Sequence, residues 1–276
     1  MIIPCLNEEK CIPLLLKDLK QQTIQDFEVF VVDGKSEDKT VEKAKKFSFV
    51  KVLSTDKRNV SFQRNLGAKS AKGEFLIFLD ADTRIPPYFL EGLRFRLNSK
   101  PADVFTTWMT SEGLTKSEKS LVMLINFVME SGMHLDMPTV FGAMLGVKRT
   151  NFLQCGGFDE DVTFAEDGEL LTRLKEQGAE FQVYKDPRFW FSLRRFKKEG
   201  TLPLVQKSAR LHLKIFFGGY PRQEQDLYPM LGGEYYASDA KPKSRSRRFL
   251  QLLGQKAKVI RSRSDFTHVL DRFFED

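Results

Sequence analysis

Across the first hundred positions, short apolar runs alternate with stretches in which apolar residues recur every three or four positions. The runs at 1–4, 27–32, 50–53 and 75–79 read as strands, and the segments 11–21, 40–47, 60–71 and 86–97 read as helices. In the first helix the stripe is Ile12, Leu15, Leu16 and Leu19; Gly73 stops the third helix, and Pro86 and Pro87 open the fourth, where proline is tolerated. Strands alternating with helices predict an α/β fold with a mainly parallel central sheet flanked by helices. Such sheets bind ligands beyond the carboxyl ends of their strands. Asn7, Asp33, Asp80 and Asp82 all fall just past strand ends and are expected to converge on one rim.

The pattern is less regular afterwards. Strands are predicted at 103–109 and 141–147, with an apolar helix at 120–129 between them. Gly156-Gly157-Phe158 marks a turn, 166–177 is a helix closed by Gly178, and 181–184 and 189–193 are two further extended pieces. Helical segments follow Gly200. The division expected is a domain at 1–200 and a helical, basic extension at 201–276.

The fourth strand carries the most chemistry, because the run Phe75 to Leu79 ends abruptly in Asp80-Ala81-Asp82. Alternation along an extended chain places the two carboxylates on the same side. Buried carboxylates need a positive partner. A hard divalent cation meets that need, since Mg²⁺ takes one or two carboxylates together with substrate phosphates. An Asp-rich exit from a strand into a turn is the other reading of the tripeptide.

Composition narrows the field. The chain has 276 residues, 41% of them hydrophobic, enough for one large core or a core with an appendage. Cys5, Cys11 and Cys155 form neither a disulfide framework nor a zinc spacing, which points to a reducing compartment. No signal-peptide pattern opens the chain, and the longest apolar stretch is too short to span a bilayer. The expected location is cytoplasmic. The net charge of +7 is uneven, since the segment 241–263 alone carries nine Lys or Arg and no acidic residue, leaving −2 for the remainder. Phe249, Leu250, Leu252, Leu253, Val259 and Ile260 interleave with those bases, as in a basic amphipathic helix on an anionic membrane surface, here the inner face. A solvated tail is the alternative. The near-neutral body and the lack of an aromatic-interleaved basic motif argue against nucleic acid.

Four motifs occur in order: Ile2-Ile3-Pro4-Cys5-Leu6-Asn7-Glu8-Glu9, Val31-Val32-Asp33-Gly34-Lys35-Ser36-Glu37-Asp38-Lys39-Thr40, Arg64-Asn65-Leu66-Gly67-Ala68 and Leu79-Asp80-Ala81-Asp82. Together with Gly156-Gly157-Phe158-Asp159 and Ala165-Glu166-Asp167, they resemble a family 2 glycosyltransferase with the GT-A nucleotide-sugar fold, over roughly residues 1–200. The resemblance implies an inverting transfer of sugar from a nucleotide-diphosphate donor to a hydroxyl on a carbohydrate or lipid-linked acceptor. It implies that Pro4, Leu6 and Glu8 line the nucleotide pocket and that Asp33 accepts hydrogen bonds from base or ribose. Arg64 would contact the nucleotide, and Asp80 and Asp82 would hold a divalent cation, Mg²⁺ or Mn²⁺, on the diphosphate. Asp167 would be the general base, with Glu166 beside it.

Each residue also has a plainer reading: Asp33 as turn chemistry, Arg64 as a solvated helix charge, Glu166 and Asp167 as acids favoured at a helix start. Two departures stand out. Relatives often place a His after the strand that follows the Glu-Asp pair, and here that region reads Phe189-Trp190-Phe191-Ser192-Leu193-Arg194-Arg195. Ser192 occupies the expected place, His212 is an alternative metal ligand, and Arg194 and Arg195 are candidates to grip the diphosphate. Second, the chain begins inside the strand that relatives precede with several residues, so a short first strand or a displaced start is expected. Two rival functions stay open at this point: transfer to a polyprenyl phosphate, and a catalytically silent partner at a membrane surface.

Overall fold

In the computed structural model, the described residues are 1–110, 115–134, 140 and 142–200, with short pieces at 206–207, 210–211, 215, 219–222 and 232–233. Seven strands form one sheet in the order β3-β2-β1-β4-β6-β5-β7. They are β1 (Ile2–Cys5), β2 (Val29–Asp33), β3 (Val50–Ser54), β4 (Phe75–Leu79), β5 (Val104–Thr110), β6 (Met144–Lys148) and β7 (Phe181–Trp190). Only β6 runs against the others, pairing antiparallel with both β4 and β5. Every residue of β1 and β2 is buried, as a parallel strand covered on both faces requires. β3, at the edge, is only partly buried.

The helices are α1 (Ile12–Lys20), α2 (Thr40–Lys45), α3 (Val60–Ser70), α4 (Phe89–Ser99), α5 (Lys116–His134), α6 (Arg149–Gln154), α7 (Glu166–Glu176) and α8 (Arg194–Glu199). The α1 stripe of Ile12, Leu15, Leu16 and Leu19 is fully buried. α3 lies so close to the sheet that a Cβ on Gly67 would sit 2.6 Å from Ile2 Cγ2 and 3.1 Å from Val32 Cγ2. That contact seats α3, which also carries Arg64 one turn earlier, against β1 and β2.

The chain winds outward from β1 to β2 and β3, then returns to place β4 on the other side of β1. β1 and β4 share a single paired position, Ile2 with Phe78, so they separate beyond it. Pro4, which has no N–H to give a neighbour, falls where β1 pairs with β2 alone. A crevice at this reversal of strand order is where α/β sheets take ligands.

Several predicted boundaries move. Phe27 and Glu28 precede β2 rather than opening it, and Pro86 and Pro87 lie in a turn ahead of α4. The strand expected from 141 starts at Met144, and the helix expected at 120–129 extends to Lys116–His134. The piece 181–184 and the start of the piece 189–193 are one strand, β7, which ends at Trp190 and leaves Phe191–Leu193 outside it. Its pairing with β5 shifts register between Thr107 and Met109. The bulge absorbs the polar segment 185–188 that looked like a break in the pattern. The six-residue α6 was not expected at all; it carries no stripe and buries only Phe152.

Past residue 200 the described pieces contact the sheet domain. Thr163 N donates to Pro221 O at 3.1 Å, the Tyr220 hydroxyl meets Thr172 Oγ1 at 3.1 Å, and Gly233 N donates to Leu6 O at 2.9 Å. The basic segment 241–263, His212, His268 and the side chain of His134 lie outside the described residues. Among the described residues no helix is long and apolar enough to cross a membrane.

Candidate active site

The rim over β1 and β2 is built by mutual loop bonding. Asn7 adopts a left-handed conformation (φ 55°), its N–H donating to Ser36 Oγ at 2.8 Å while its side-chain oxygen accepts from Glu37 N at 2.8 Å. From α3, Gln63 Nε2 donates to Cys5 O and Val32 O at 2.9 and 2.7 Å, joining the last turns of both strands from below. Asp33 ends β2 and is 3% exposed. Its Oδ2 accepts from Ser36 N at 3.1 Å, the turn chemistry expected of an Asp before Gly, but its Oδ1 is buried without a partner among the described residues. Leaving such an acceptor unmet costs about 1–3 kcal/mol.

Across the crevice, Arg64 gathers three acids. It is 2% exposed, and its Nη1 donates to Glu166 Oε1 at 2.9 Å and to Asp167 Oδ1 at 3.0 Å. Its Nη2 donates to Asp80 Oδ1 at 3.2 Å and to Gly142 O at 3.1 Å, and the guanidinium lies 5.2 Å from the Phe158 ring centre. Arg64 is therefore no solvated helix charge. Its Nη donors are engaged by acids and a carbonyl, while its Nε is buried without a partner among the described residues. Glu166 and Asp167 occupy the first turn of α7, where the helix dipole also favours them, while Ala165 before them takes a left-handed turn (φ 58°). Gly142 closes the other side: a Cβ there would stand 2.0 Å from Asp167 Oδ2.

A second guanidinium completes the rim. Trp190 at the end of β7 bridges to Arg84, and Phe191 N donates to Thr110 O at 2.8 Å, which carries the following residues over Asp82. Arg194 forks onto Glu8, Nη1 to Oε2 at 2.8 Å and Nη2 to Oε1 at 2.5 Å, while its Nε meets Asp82 Oδ2 at 2.9 Å. Glu8 is further held by its own N–H donating to Thr40 Oγ1 at 2.7 Å.

Five carboxylates (Glu8, Asp80, Asp82, Glu166 and Asp167) thus meet two guanidinium groups, an excess of three negative charges. The titrations follow. Burial pushes the Glu8 carboxyl up to about 7 even against Arg194. Burial also raises Asp167, opposed by Arg64 and reinforced by Glu166 and Asp80. Asp80 is raised by desolvation, again opposed by Arg64. Asp80 keeps 38% of its side chain exposed and Asp82 13%, the accessible members of the set. Two carboxylates with surplus charge fit a divalent cation shared with phosphate oxygens. Among the described residues no group of three or more His, Cys, Asp or Glu is arranged to hold a metal ion by itself.

The crevice thus brings Glu8, Arg64, Asp80, Asp82, Glu166 and Asp167 into one charged network, with Asp33, Pro4 and Leu6 along the neighbouring strand ends. Reading the sequence missed Gln63 and Gly142, gave Thr40 no role although the second motif extends to it, and left Arg194 as a choice between a phosphate grip and a solvated turn. Arg194 had a signal of its own, a pair of arginines following the last strand.

The model of the family described as glycosyl transferase family 2 matches residues 1–155, more than half of the chain. The chain belongs to this family. A glycosyltransferase of Haemophilus influenzae is 28% identical over 200 residues, covering 67% of this family 2 chain and 64% of the relative. The poly(ribitol-phosphate) β-N-acetylglucosaminyltransferase TarS of Staphylococcus aureus is 26% identical over 211 residues, covering 71% of the chain and 35% of the relative. The chain therefore spans less than two thirds of the length of these relatives. Among solved structures, TarS 1–349 in complex with UDP superposes with a TM-score of 0.56 at 23% identity, over 75% of this chain and 64% of that one. The mannosyltransferase PcManGT of Pyrobaculum calidifontis, in complex with GDP-Man and Mn²⁺, gives 0.60 at 20% identity over 98% of this chain and 77% of that one. The fold is shared: this is the GT-A α/β architecture of the glycosyltransferases.

Proposed function

We propose that this family 2 chain transfers a sugar, with inversion, from a nucleotide-diphosphate donor to a hydroxyl acceptor. The observation that carries the reading is the set of acids at the reversal of strand order, where Asp80 meets Nη2 of Arg64, Asp167 meets Nη1, and Asp82 is held by Arg194. The unmet Asp33 Oδ1 takes a donor from the base or ribose, with Pro4 and Leu6 along the same wall. Asp80 and Asp82 are the residues that would hold a divalent cation, which when bound offsets charge on the departing diphosphate. Asp167 accepts the proton of the acceptor hydroxyl as that oxygen attacks the anomeric carbon opposite the leaving group. Its raised affinity for a proton suits that task, and Arg64 keeps its carboxylate oriented. Arg64 serves by organising the acids, and contact with the nucleotide falls to the rim residues. That neighbours sharing this fold were solved with UDP, or with GDP-Man and Mn²⁺, supports the donor class.

Thermal shift with UDP, GDP, CDP and dTDP, each with and without Mn²⁺, tests the donor site. A Mn²⁺-dependent rise in Tm is expected for one nucleotide, lost in Asp82→Ala. A saturating ligand at 100 times its Kd adds about 2.7 kcal/mol. No shift with any nucleotide would sink the reading.

Gly142→Ala tests the base. The added methyl overlaps Asp167 Oδ2 and displaces the carboxylate. Turnover is expected to fall roughly a hundredfold, the usual consequence of a 1 Å misplacement, while nucleotide affinity changes little. Equal turnover in wild type and variant would remove Asp167 from the reaction.

A further inference from the structure

We infer that Arg194 is a resident counter-ion that occupies Glu8 and Asp82 until a divalent cation displaces it, so that cation binding and release of Arg194 are one exchange. This deepens the donor-and-cation reading above and rests on it.

The placement is not incidental. The antiparallel bridge between Arg84 and Trp190 sets the chain after β7 beside the turn that follows Asp82. Leu193 is buried and anchors the next residue, whose side chain is 17% exposed. From there one guanidinium meets two carboxylates from opposite ends of the crevice, Glu8 after β1 and Asp82 after β4. All three of its nitrogens are engaged: both Nη atoms on Glu8 and Nε on Asp82. A planar fork suits this two-sided bridge, as an ammonium would not.

Asp82 cannot give the same oxygen fully to Arg194 and to a cation. Arg64 does not substitute, because its charge is already shared among Asp80, Glu166 and Asp167. A cation seated at Asp80 and Asp82 would face the Arg194 charge across Asp82, and like charges in a site of low effective dielectric repel strongly. Arg194 must therefore move as the cation arrives. Phosphate entering with the metal offers the leaving guanidinium a new anion, so free cation is held more weakly than cation with phosphate.

The test is Mn²⁺ binding without nucleotide, read by the loss of the free-Mn²⁺ electron paramagnetic resonance signal. Arg194→Gln is expected to bind Mn²⁺ at least about tenfold more tightly than wild type, because a competing charge has gone and a carboxylate is released. Adding Asp82→Asn to Arg194→Gln should abolish the gain. Should Arg194→Gln unfold, Arg194→Lys serves: it keeps the charge but cannot span both carboxylates, and a smaller gain of the same sign is expected. Equal or weaker Mn²⁺ binding in folded Arg194 variants overturns the exchange, as does a gain that survives loss of Asp82. The nucleotide panel on wild type separates the two ideas. A Mn²⁺ gain without any nucleotide binding upholds the exchange and removes the donor reading, whereas nucleotide binding without the gain does the reverse.

Discussion

Asp167→Asn should reduce transfer by roughly a thousandfold in kcat, within the 10²–10⁴ range of a lost general base. The amide keeps the shape and still accepts from Arg64 Nη1 through its oxygen, which in the parent bond is 3.0 Å away. Nucleotide affinity should change by no more than a few fold, because Asp33, Asp80 and Asp82 are untouched. Stability should not fall, since the change removes one of the five negative charges around two guanidiniums. Steady-state kinetics with a competent acceptor, alongside a thermal melt, would check all three. Near-normal turnover would instead indicate an acceptor that is already an anion, such as a polyprenyl phosphate, for which a base matters little. The membrane-surface alternative is addressed by the basic segment 241–263, whose removal should weaken binding to anionic vesicles without changing nucleotide affinity if that segment is the contact.

Arg64→Gln has the largest expected effect on folding. It leaves Glu166 and Asp167 buried without their cation, and Asp80 without its partner. Removing one side of such a buried cluster costs about 3–5 kcal/mol. For a chain of this size that lowers Tm by roughly 10 °C. The loss should depend on pH in a definite direction. Asp167 already titrates above its ordinary value of 3.8 in the folded protein, so its protonated form favours the fold, and stability is lost as pH rises through the folded value. Without Arg64 the opposing term disappears and that value climbs further. The variant should therefore suffer most at pH 8 and recover toward wild type as the pH falls to 5. Adding Glu166→Gln should restore part of the loss, and the four variants form a cycle that isolates the pair. A Tm deficit equal at both pH values would mean that Arg64 acts through packing on Phe158 rather than through charge.

The parts of this molecule that were legible beforehand share one property: local repetition. Buried parallel strands are short and apolar throughout, so 75–79 was located to the residue as β4. Helix α3 was found within one residue, and its cap is Asn59, whose side chain accepts from Phe62 N. Segments whose form depends on distant partners were misread. β7 looked like two pieces because its polar middle, 185–188, is spanned by the register shift, while the flanking residues on either side pair with β5. α6 has no periodicity because it is held by the turn of Gly156 and Gly157 and by the burial of one phenylalanine.

The candidate site divides along the same line. Sequence by itself determined that Asp33 and Asp80 emerge where parallel strands end. The alternation expected to place Asp80 and Asp82 on one side does not apply, because Thr83 N donates to Asp80 O at 3.1 Å and Asp82 lies in that turn. Sequence also determined, by motif order, the family to which the chain belongs. Tertiary structure alone decided the partners. Arg64 meets Glu166 and Asp167 from about a hundred positions away, and Arg194 meets Glu8 across 186. An arginine on a helix looks the same in sequence whether it is solvated or buried. Only folding removes the water around it, and once that water is gone the charge must be matched by whichever carboxylates the sheet has brought within reach.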